Sequence, residues 1–191
     1  MSAIAAKQYT TDLYGQLLDL PENQVGEIIH DQLYVQPRPS WLHGQAEGSI
    51  IAGLHTLYRR DGGKTDGWWI IPEPEIHFRR DQEVLVPDIA GWRKARLPTP
   101  PKDHRCEVIP DWVCEILSPS TEQKDRTIKM PLYARYHIPF LWLVHPILKT
   151  VEVFMLHQEQ WQSVGVFSGD TQIVMPPFDT ITLDLALWWV D

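Results

Sequence analysis

Two rhythms of apolar and polar positions run along this chain. Leu13, Leu17 and Leu18 fall on one helical stripe, which predicts a short helix over 8–19 that Pro21 ends. Residues 25–35, VGEIIHDQLYV, place apolar arms on either side of the polar His30-Asp31-Gln32, the pattern of a strand pair. Ser40 suits a helix N-cap, and Ile50, Leu54 and Leu57 recur after it at helical spacing, so a long helix is predicted to about Tyr58. His43 and Glu47 stand one turn apart and share a face of that helix. The stretch RRDGGKTDG closes it and forms a loop.

Strand formers dominate the next stretch of the chain. Residues 68–78 and 84–92, joined by a polar turn, predict a hairpin. Residues 93–110 carry Pro98, Pro100, Pro101 and Pro110 and read as an irregular crossing loop. Residues 111–117 form a buried strand, and the break at 118–121 caps a helix over about 122–137, which Pro131 should kink or split. The apolar run 140–144 predicts a central strand, the segments 151–156, 160–167 and 171–175 a meander, and a last segment ending in Leu187-Trp188-Trp189 packs the C-terminus. This order predicts an α/β or α+β fold, a mixed central sheet flanked by helices, with a strand-rich C-terminal segment. Residues 1–24 are read as a helix and lead-in, and 25–191 as a single domain.

Composition narrows the function classes. The chain has 191 residues with 43% hydrophobic and 22% charged positions, enough to bury a core without metal or disulfide staples. Cys106 and Cys114 make no disulfide framework and are read as reduced thiols, which fits a cytoplasmic location. No apolar run approaches a membrane span of about 18 residues, and no secretory signal is visible. The net charge of −8 excludes coating nucleic acid through bulk positive charge, while leaving room for a local basic groove around an acidic centre. The nine tryptophans are read as core and edge packing.

Candidate chemistry concentrates in Val86-Pro87-Asp88, in the strand Trp112-Val113-Cys114-Glu115-Ile116-Leu117, and in Lys124-Asp125-Arg126-Thr127-Ile128-Lys129. A carboxylate inside an apolar strand needs a partner or a metal, because an unpaired buried charge is very costly. Strand alternation sends Glu115 and Cys114 to opposite faces, so Cys114 is no co-ligand. A hairpin turn centred between Asp81 and Gln82 sets Asp88 opposite Glu75, two like charges that a cation would reconcile. Carboxylates converging with a lysine are the apparatus of metal-dependent phosphodiester hydrolysis, with Mg²⁺ or Mn²⁺ held by oxygen ligands. Other readings stand beside this one. Asp88 could simply begin a strand, Glu115 could sit in a structural ion pair with Arg126 or Lys129, and Lys129 could pair with Asp125 on a helix surface. His43 reads as an exposed helix-start residue, Glu27 as a turn residue, and Tyr133 and Tyr136 as helix packing.

The blocks PEPEIHFRRDQEVLVPDIAGWRKARLP and VCEILSPSTEQKDRTIKMPLYARYHIPFLWLVHP closely resemble the Uma-two family of restriction-endonuclease-like proteins, within the PD-(D/E)XK nuclease superfamily. The resemblance implies that Asp88 is the Pro-Asp acid and Glu115 the second motif acid. The superfamily lysine normally lies two residues after that acid, where this chain has Leu117, so the resemblance draws it from the next helix: Lys129 first, Lys124 second. Glu27 and His43 match family positions and become candidates for the rim or the metal shell. The implied activity is Mg²⁺-dependent hydrolysis of DNA; the alternative is a module that keeps the fold and binds nucleic acid or a protein without cutting, and a homodimer or other homo-oligomer is a further expectation. Arg93, Lys94 and Arg96, with Arg79, Arg80, Lys102 and Arg105, are expected to form a basic rim that contacts DNA.

Overall fold

The computed structural model describes residues 12–60 and 67–189; the tip of the RRDGGKTDG loop and the start of the first expected helix lie outside the described residues. Helix α1 (Leu13–Leu18) is capped by Asp12, whose side chain accepts from Gly15 N–H. Strands β1 (Gln24–Ile29) and β2 (Gln32–Pro37) pair antiparallel around His30 and Asp31, both at positive φ, a two-residue turn whose twist matches that of the strands. Helix α2 (Trp41–Arg60) follows; Ala46, Ile50 and Leu54 form its buried stripe.

The expected two-strand hairpin is interrupted on both arms at the same level. It comprises β3 (Trp68–Pro72), β4 (Glu75–Arg79), β5 (Glu83–Leu85) and β6 (Ile89–Arg93). On one arm Glu73 adopts a positive φ of 41° before Pro74, and on the other Val86-Pro87-Asp88 leaves the ladder. Both prolines lack the N–H that a continuous ladder would use. The tip of the hairpin therefore joins one sheet, of order β2-β1-β5-β4-β7, with β7 (Arg105–Cys106) parallel to β4. Its base joins a second sheet, of order β11-β10-β9-β8-β6-β3, built with β8 (Trp112–Ile116), β9 (Phe140–His145), β10 (Thr150–His157) and β11 (Gln160–Ser168). Both sheets are mixed, since β8 and β9 also run parallel. The fold is α+β, as its sequence pattern predicts.

Three expectations change in detail. The helix expected over 122–137 is α3 (Glu122–Lys124), a π-helical turn (Asp125–Lys129) and α4 (Met130–Arg135). In the wide turn Met130 N–H reaches back five residues to Asp125 O. Pro131 explains the position: it brings no N–H and its ring would crowd the carbonyl of Thr127 in a regular helix. The third meander strand is absent from the second sheet. Gly169, at φ +66°, turns the chain away, and β12 (Gln172–Ile173) pairs instead with β13 (Leu183–Asp184). Finally, the tryptophans are not uniformly packed: Trp112 and Trp142 are wholly buried, but Trp41 is 83% exposed.

The second sheet has two apolar faces. Trp112, Cys114 and Ile116 pack with α2, Phe178 and Trp188; Val113 and Leu117 pack with Leu132 and Tyr133 of α4. Glu115 shares this second face, so a carboxylate stands where alternation would otherwise place an apolar side chain. No helix among the described residues is long and apolar enough to cross a membrane.

At Gly91, in the middle of β6, a Cβ would meet Trp112 at 3.0 Å and both Ile70 and Trp68 at 3.1 Å. Gly91→Ala should destabilise the protein by about 1–3 kcal/mol through overpacking. A lowered urea midpoint with an unchanged m-value would record it.

Candidate active site

The break in the hairpin makes the site. Continuing the β6–β8 register one step past Ile89 and Cys114 brings Asp88 opposite Glu115. Asp88 has left the ladder by then, and its Oδ2 accepts the Ile116 N–H in place of a backbone carbonyl. The main chain of β8 thus holds the Asp88 carboxylate at the strand end. His43, in the first turn of α2, brings Nε2 to 3.0 Å from Asp88 Oδ1 without an aligned hydrogen bond; the ring nitrogen is buried with no hydrogen-bond partner. Asp88, Glu115, His43, Asp125 and Lys129 all line one cavity of about 300 Å³.

Behind the cavity lies a buried ion cluster. Lys129 Nζ is 2.7 Å from Glu115 Oε1, 3.0 Å from Glu27 Oε1 and 4.0 Å from Asp125 Oδ1. Glu27, Glu115 and Lys129 are each 1–2% exposed. Glu27 also accepts from Val86 N–H and from Lys124 Nζ, which bonds Gln36 as well. Tyr133 OH donates to Glu115 Oε1. The π turn supplies the key placement, because Asp125 and Lys129 flank it and both point inward.

Charges are unequal in this cluster. Burial raises the Glu27 carboxyl, but Lys129 and then Lys124 outweigh it, and Glu27 titrates below the usual range. Burial would strip the Lys129 proton, yet Glu115 and Glu27 hold it, and its pKa is raised. Glu115 is pushed well up by burial, Lys129 opposing and Asp125, Asp88 and Glu27 adding to the rise. Two ammoniums, of Lys124 and Lys129, stand among Glu27, Glu115 and Asp125. For His43, burial lowers the pKa, and Asp88, Glu47 and Glu73 reverse it to a net rise.

Several residues behave differently from their sequence reading. His43 is buried, not an exposed helix start, and Glu27 is a buried strand residue, not a turn residue. Tyr133 packs in the core but also bonds Glu115. Arg126 pairs with Glu122 and Glu152, leaving Glu115 to Lys129. The pair of Lys129 with Asp125 is buried, not on a surface.

Glu75 is not part of this cavity: its Oε1 is taken by Tyr14 OH and His77 Nε2, each at 2.7 Å. The hairpin turn is centred on Asp81, and a register shift between His77 and Arg79 carries the pairing beyond it one residue earlier than the sequence reading placed it. The β3–β6 register, Pro72 opposite Ile89, therefore sets Glu73 beside Asp88. Glu73 N–H donates to Asp88 O, and the Glu73 side chain lines the cavity and pairs with Arg38 at 2.7 Å. The basic residues Arg93, Lys94 and Arg96 lie at the far end of β6 and do not line the cavity. Arg93 covers the Trp68 ring, Lys94 covers Trp69, and Arg96 bonds Asp111. Arg38, which sequence reasoning passed over, is the arginine at the cavity wall.

A family model described as "Putative restriction endonuclease", Uma2, matches residues 12–186. The chain belongs to the Uma2 family. A crystal structure described as a "putative nuclease belonging to DUF820" from Anabaena variabilis ATCC 29413 shares the fold with this Uma2 chain, with a TM-score of 0.71 and 22% identity over 92% of this chain and 96% of that one. No curated protein matches it. Within the Uma2 chain, Leu117 stands two residues after Glu115, and Lys129 reaches Glu115 from the neighbouring helix.

Glu47, one turn beyond His43, is raised from the usual 4.5 to about 7 by burial, then by Asp88 and Glu73, with His43 opposing. A carboxyl raised on folding stabilises below its ordinary pKa, and that contribution is lost as pH rises through about 7. Glu47→Gln removes the loss. In metal-free protein its urea midpoint should gain on wild type between about pH 5 and pH 8, and parallel pH curves for the two proteins would refute this assignment.

Proposed function

We propose that this protein is a metal-dependent endonuclease that hydrolyses DNA phosphodiester bonds. The observation that carries the reading is the Lys129–Glu115 contact at 2.7 Å beside Asp88 in one cavity. Two acids and a lysine are assembled from three separated segments, although the lysine has left its usual place in sequence.

The donor set suits Mg²⁺ or Mn²⁺. Among the described residues no three His, Cys, Asp or Glu side chains close around a common point. Mg²⁺ does not need such a cage: it takes one or two carboxylates and fills its octahedron with water and phosphate oxygens. Asp88 and Glu115 would hold it, and the excess of acids over cations in the cavity favours a bound cation. When bound, the ion polarises the phosphoryl oxygen and lowers the pKa of a coordinated water.

The chain's own groups do the rest. Ile116 N–H fixes the Asp88 carboxylate, and Tyr133 OH and Lys129 fix that of Glu115. Lys129 keeps its proton through Glu115 and Glu27, so a positive charge stands ready where negative charge develops on the phosphate oxygens. Glu27 and Lys124 brace the ammonium from behind. Arg38 at the wall offers a donor to a flanking phosphate.

Asp88→Asn keeps an acceptor for Ile116 N–H while removing the charge. It should cut Mg²⁺-dependent cleavage of plasmid and single-stranded DNA by at least about 10²-fold and weaken Mg²⁺ binding by calorimetry, with little change in the unfolding midpoint. Lys129→Ala should lose about as much turnover, but with measurable destabilisation because Glu27 and Glu115 lose their counter-charge. Wild-type protein that binds neither Mg²⁺ nor DNA would sink the reading.

A further inference from the structure

Among the described residues that line the cavity, Arg38 and Lys129 carry its arginine and lysine side chains, and they differ in reach. Lys129 is 2% exposed and closed in by Glu115 and Glu27, whereas the Arg38 side chain is 52% exposed. Arg38 therefore stands at the mouth, where a strand arrives first. It is already engaged there: Nη1 lies 2.7 Å from Glu73 Oε2. Nε donates to Glu22 O at 3.0 Å, which fixes the plane of the guanidinium, and Nη2 has no partner among the described residues. The two partners come from separate segments, Arg38 between β2 and α2 and Glu73 between β3 and β4.

Glu73 occupies a position where a carboxylate is unfavourable. Its N–H donates to Asp88 O, so its backbone is pinned beside another acid. After burial and Asp88, its charge is the next contribution that raises Glu47. Its backbone is held at φ 41°, in the left-handed region that glycine occupies without strain. A charged, non-glycine residue kept there beside a cavity points to a task for its side chain. The contact it makes is weak, because ion pairs as exposed as this one contribute little. A guanidinium accepts a carboxylate and a phosphate in the same forked geometry, so the two anions compete for it.

We propose that Glu73 is a built-in competitor for Arg38: it holds the guanidinium in the absence of DNA, and a phosphate of the bound strand displaces it. The inference rests on the phosphodiester reading of the cavity and adds the residue that sets the affinity of its mouth. On binding, Arg38 exchanges one carboxylate for one phosphate while Glu22 O keeps its plane. Glu73, at the water boundary, turns its carboxylate into solvent. A free phosphate must make this exchange for a single contact. A strand makes it while a neighbouring phosphate engages Asp88, Glu115 and their cation, so the competitor favours a polynucleotide over isolated phosphate.

The test reads affinity without turnover, by anisotropy of a short fluorescein-labelled oligonucleotide, single-stranded and as a duplex, with Ca²⁺ in place of Mg²⁺. Arg38→Ala should weaken binding about tenfold, the scale of a lost charge-assisted hydrogen bond. Glu73→Gln keeps the size of the side chain and should tighten binding about threefold, the scale of an exposed ion pair. Glu73→Gly, suited to the positive φ, should tighten it as well. The gain from Glu73→Gln must disappear in the Arg38→Ala protein. If the pair merely holds the wall in place, both single variants weaken binding; if Glu73 only repels DNA, the gain survives without Arg38. Either result would overturn the proposal, and so would wild-type protein that binds no DNA. A loss of about tenfold or more in the calorimetric Mg²⁺ affinity of Glu73→Gln would mark Glu73 as part of the metal shell and overturn it too. DNA binding that lacks this pattern while Mg²⁺-dependent cleavage persists fails the proposal alone; the pattern without cleavage or Mg²⁺ binding fails the hydrolytic reading alone.

Discussion

The ammonium of Lys129 is the constraint around which the site is organised. It lies fully buried between Glu27 on β1, Glu115 on β8 and Asp125 at the start of its own π turn. These elements come from the first sheet, the second sheet and the crossover helix, so one charge ties three parts of the fold together. Such a cluster is no efficient source of stability, because desolvation offsets most of the Coulombic attraction. It is costly to leave half-made, and that asymmetry makes it selective: an arrangement in which the π turn, the β1 strand or the β8 strand shifts would strand a charge in the core. The geometry of the site is thereby coupled to the correct docking of the two sheets.

The same coupling explains the interrupted hairpin. A β6–β8 ladder continued past Ile89 would give Ile116 N–H a backbone carbonyl and leave the Asp88 carboxylate no donor on β8. Pro74 and Pro87 open the ladder on opposite arms at one level, and the hairpin divides between the sheets there. Asp88 then satisfies Ile116 N–H with its side chain, and Glu27 satisfies Val86 N–H in the same way. Both freed donors are answered by carboxylates of the site, so the opening that creates the cavity also fixes the acids that line it.

Much of this was legible in sequence, and the failures share a cause. The isolated carboxylate in WVCEIL pointed to Glu115, and the alternation around it correctly separated Cys114 onto the other face, where it packs against α2 and the C-terminal aromatics. The resemblance drew attention to Lys129 on the next helix, and the structure sets its Nζ 2.7 Å from Glu115 Oε1. What could not be read was register. A turn centred on Asp81, with a register shift in β4, moves the partner of Asp88 by two positions and preserves the face, so Glu75 and Glu73 were equivalent to any pattern argument, and only the pairing distinguishes them. Burial of His43 and the Tyr133 bond to Glu115 depend on which surfaces α2 and α4 present to the sheet, which is a tertiary property. The basic residues beyond β6 lie away from the cavity for a related reason: closeness in sequence to Asp88 became the full length of a strand in space, and tryptophan rings are covered by two of them.

The electrostatic character of the centre follows from its position between the sheets. Glu115 is raised by burial and by its neighbours, while Glu27, equally buried, is lowered because it faces both lysines. Two carboxylates of the same type and depth thus take opposite directions according to which side of the ammonium they occupy. Glu27 with Lys124 and Lys129 forms a back wall carrying one net positive charge, and Asp88 and Glu115 face the cavity in front of it. Under the proposed function, a cation entering between the two front acids would add positive charge at the point where a phosphate would arrive. The net charge of −8 is then compatible with a polyanionic substrate, because attraction need not come from the bulk surface. It would come from the ion held by Asp88 and Glu115, from Lys129 behind them, and from Arg38 at the wall.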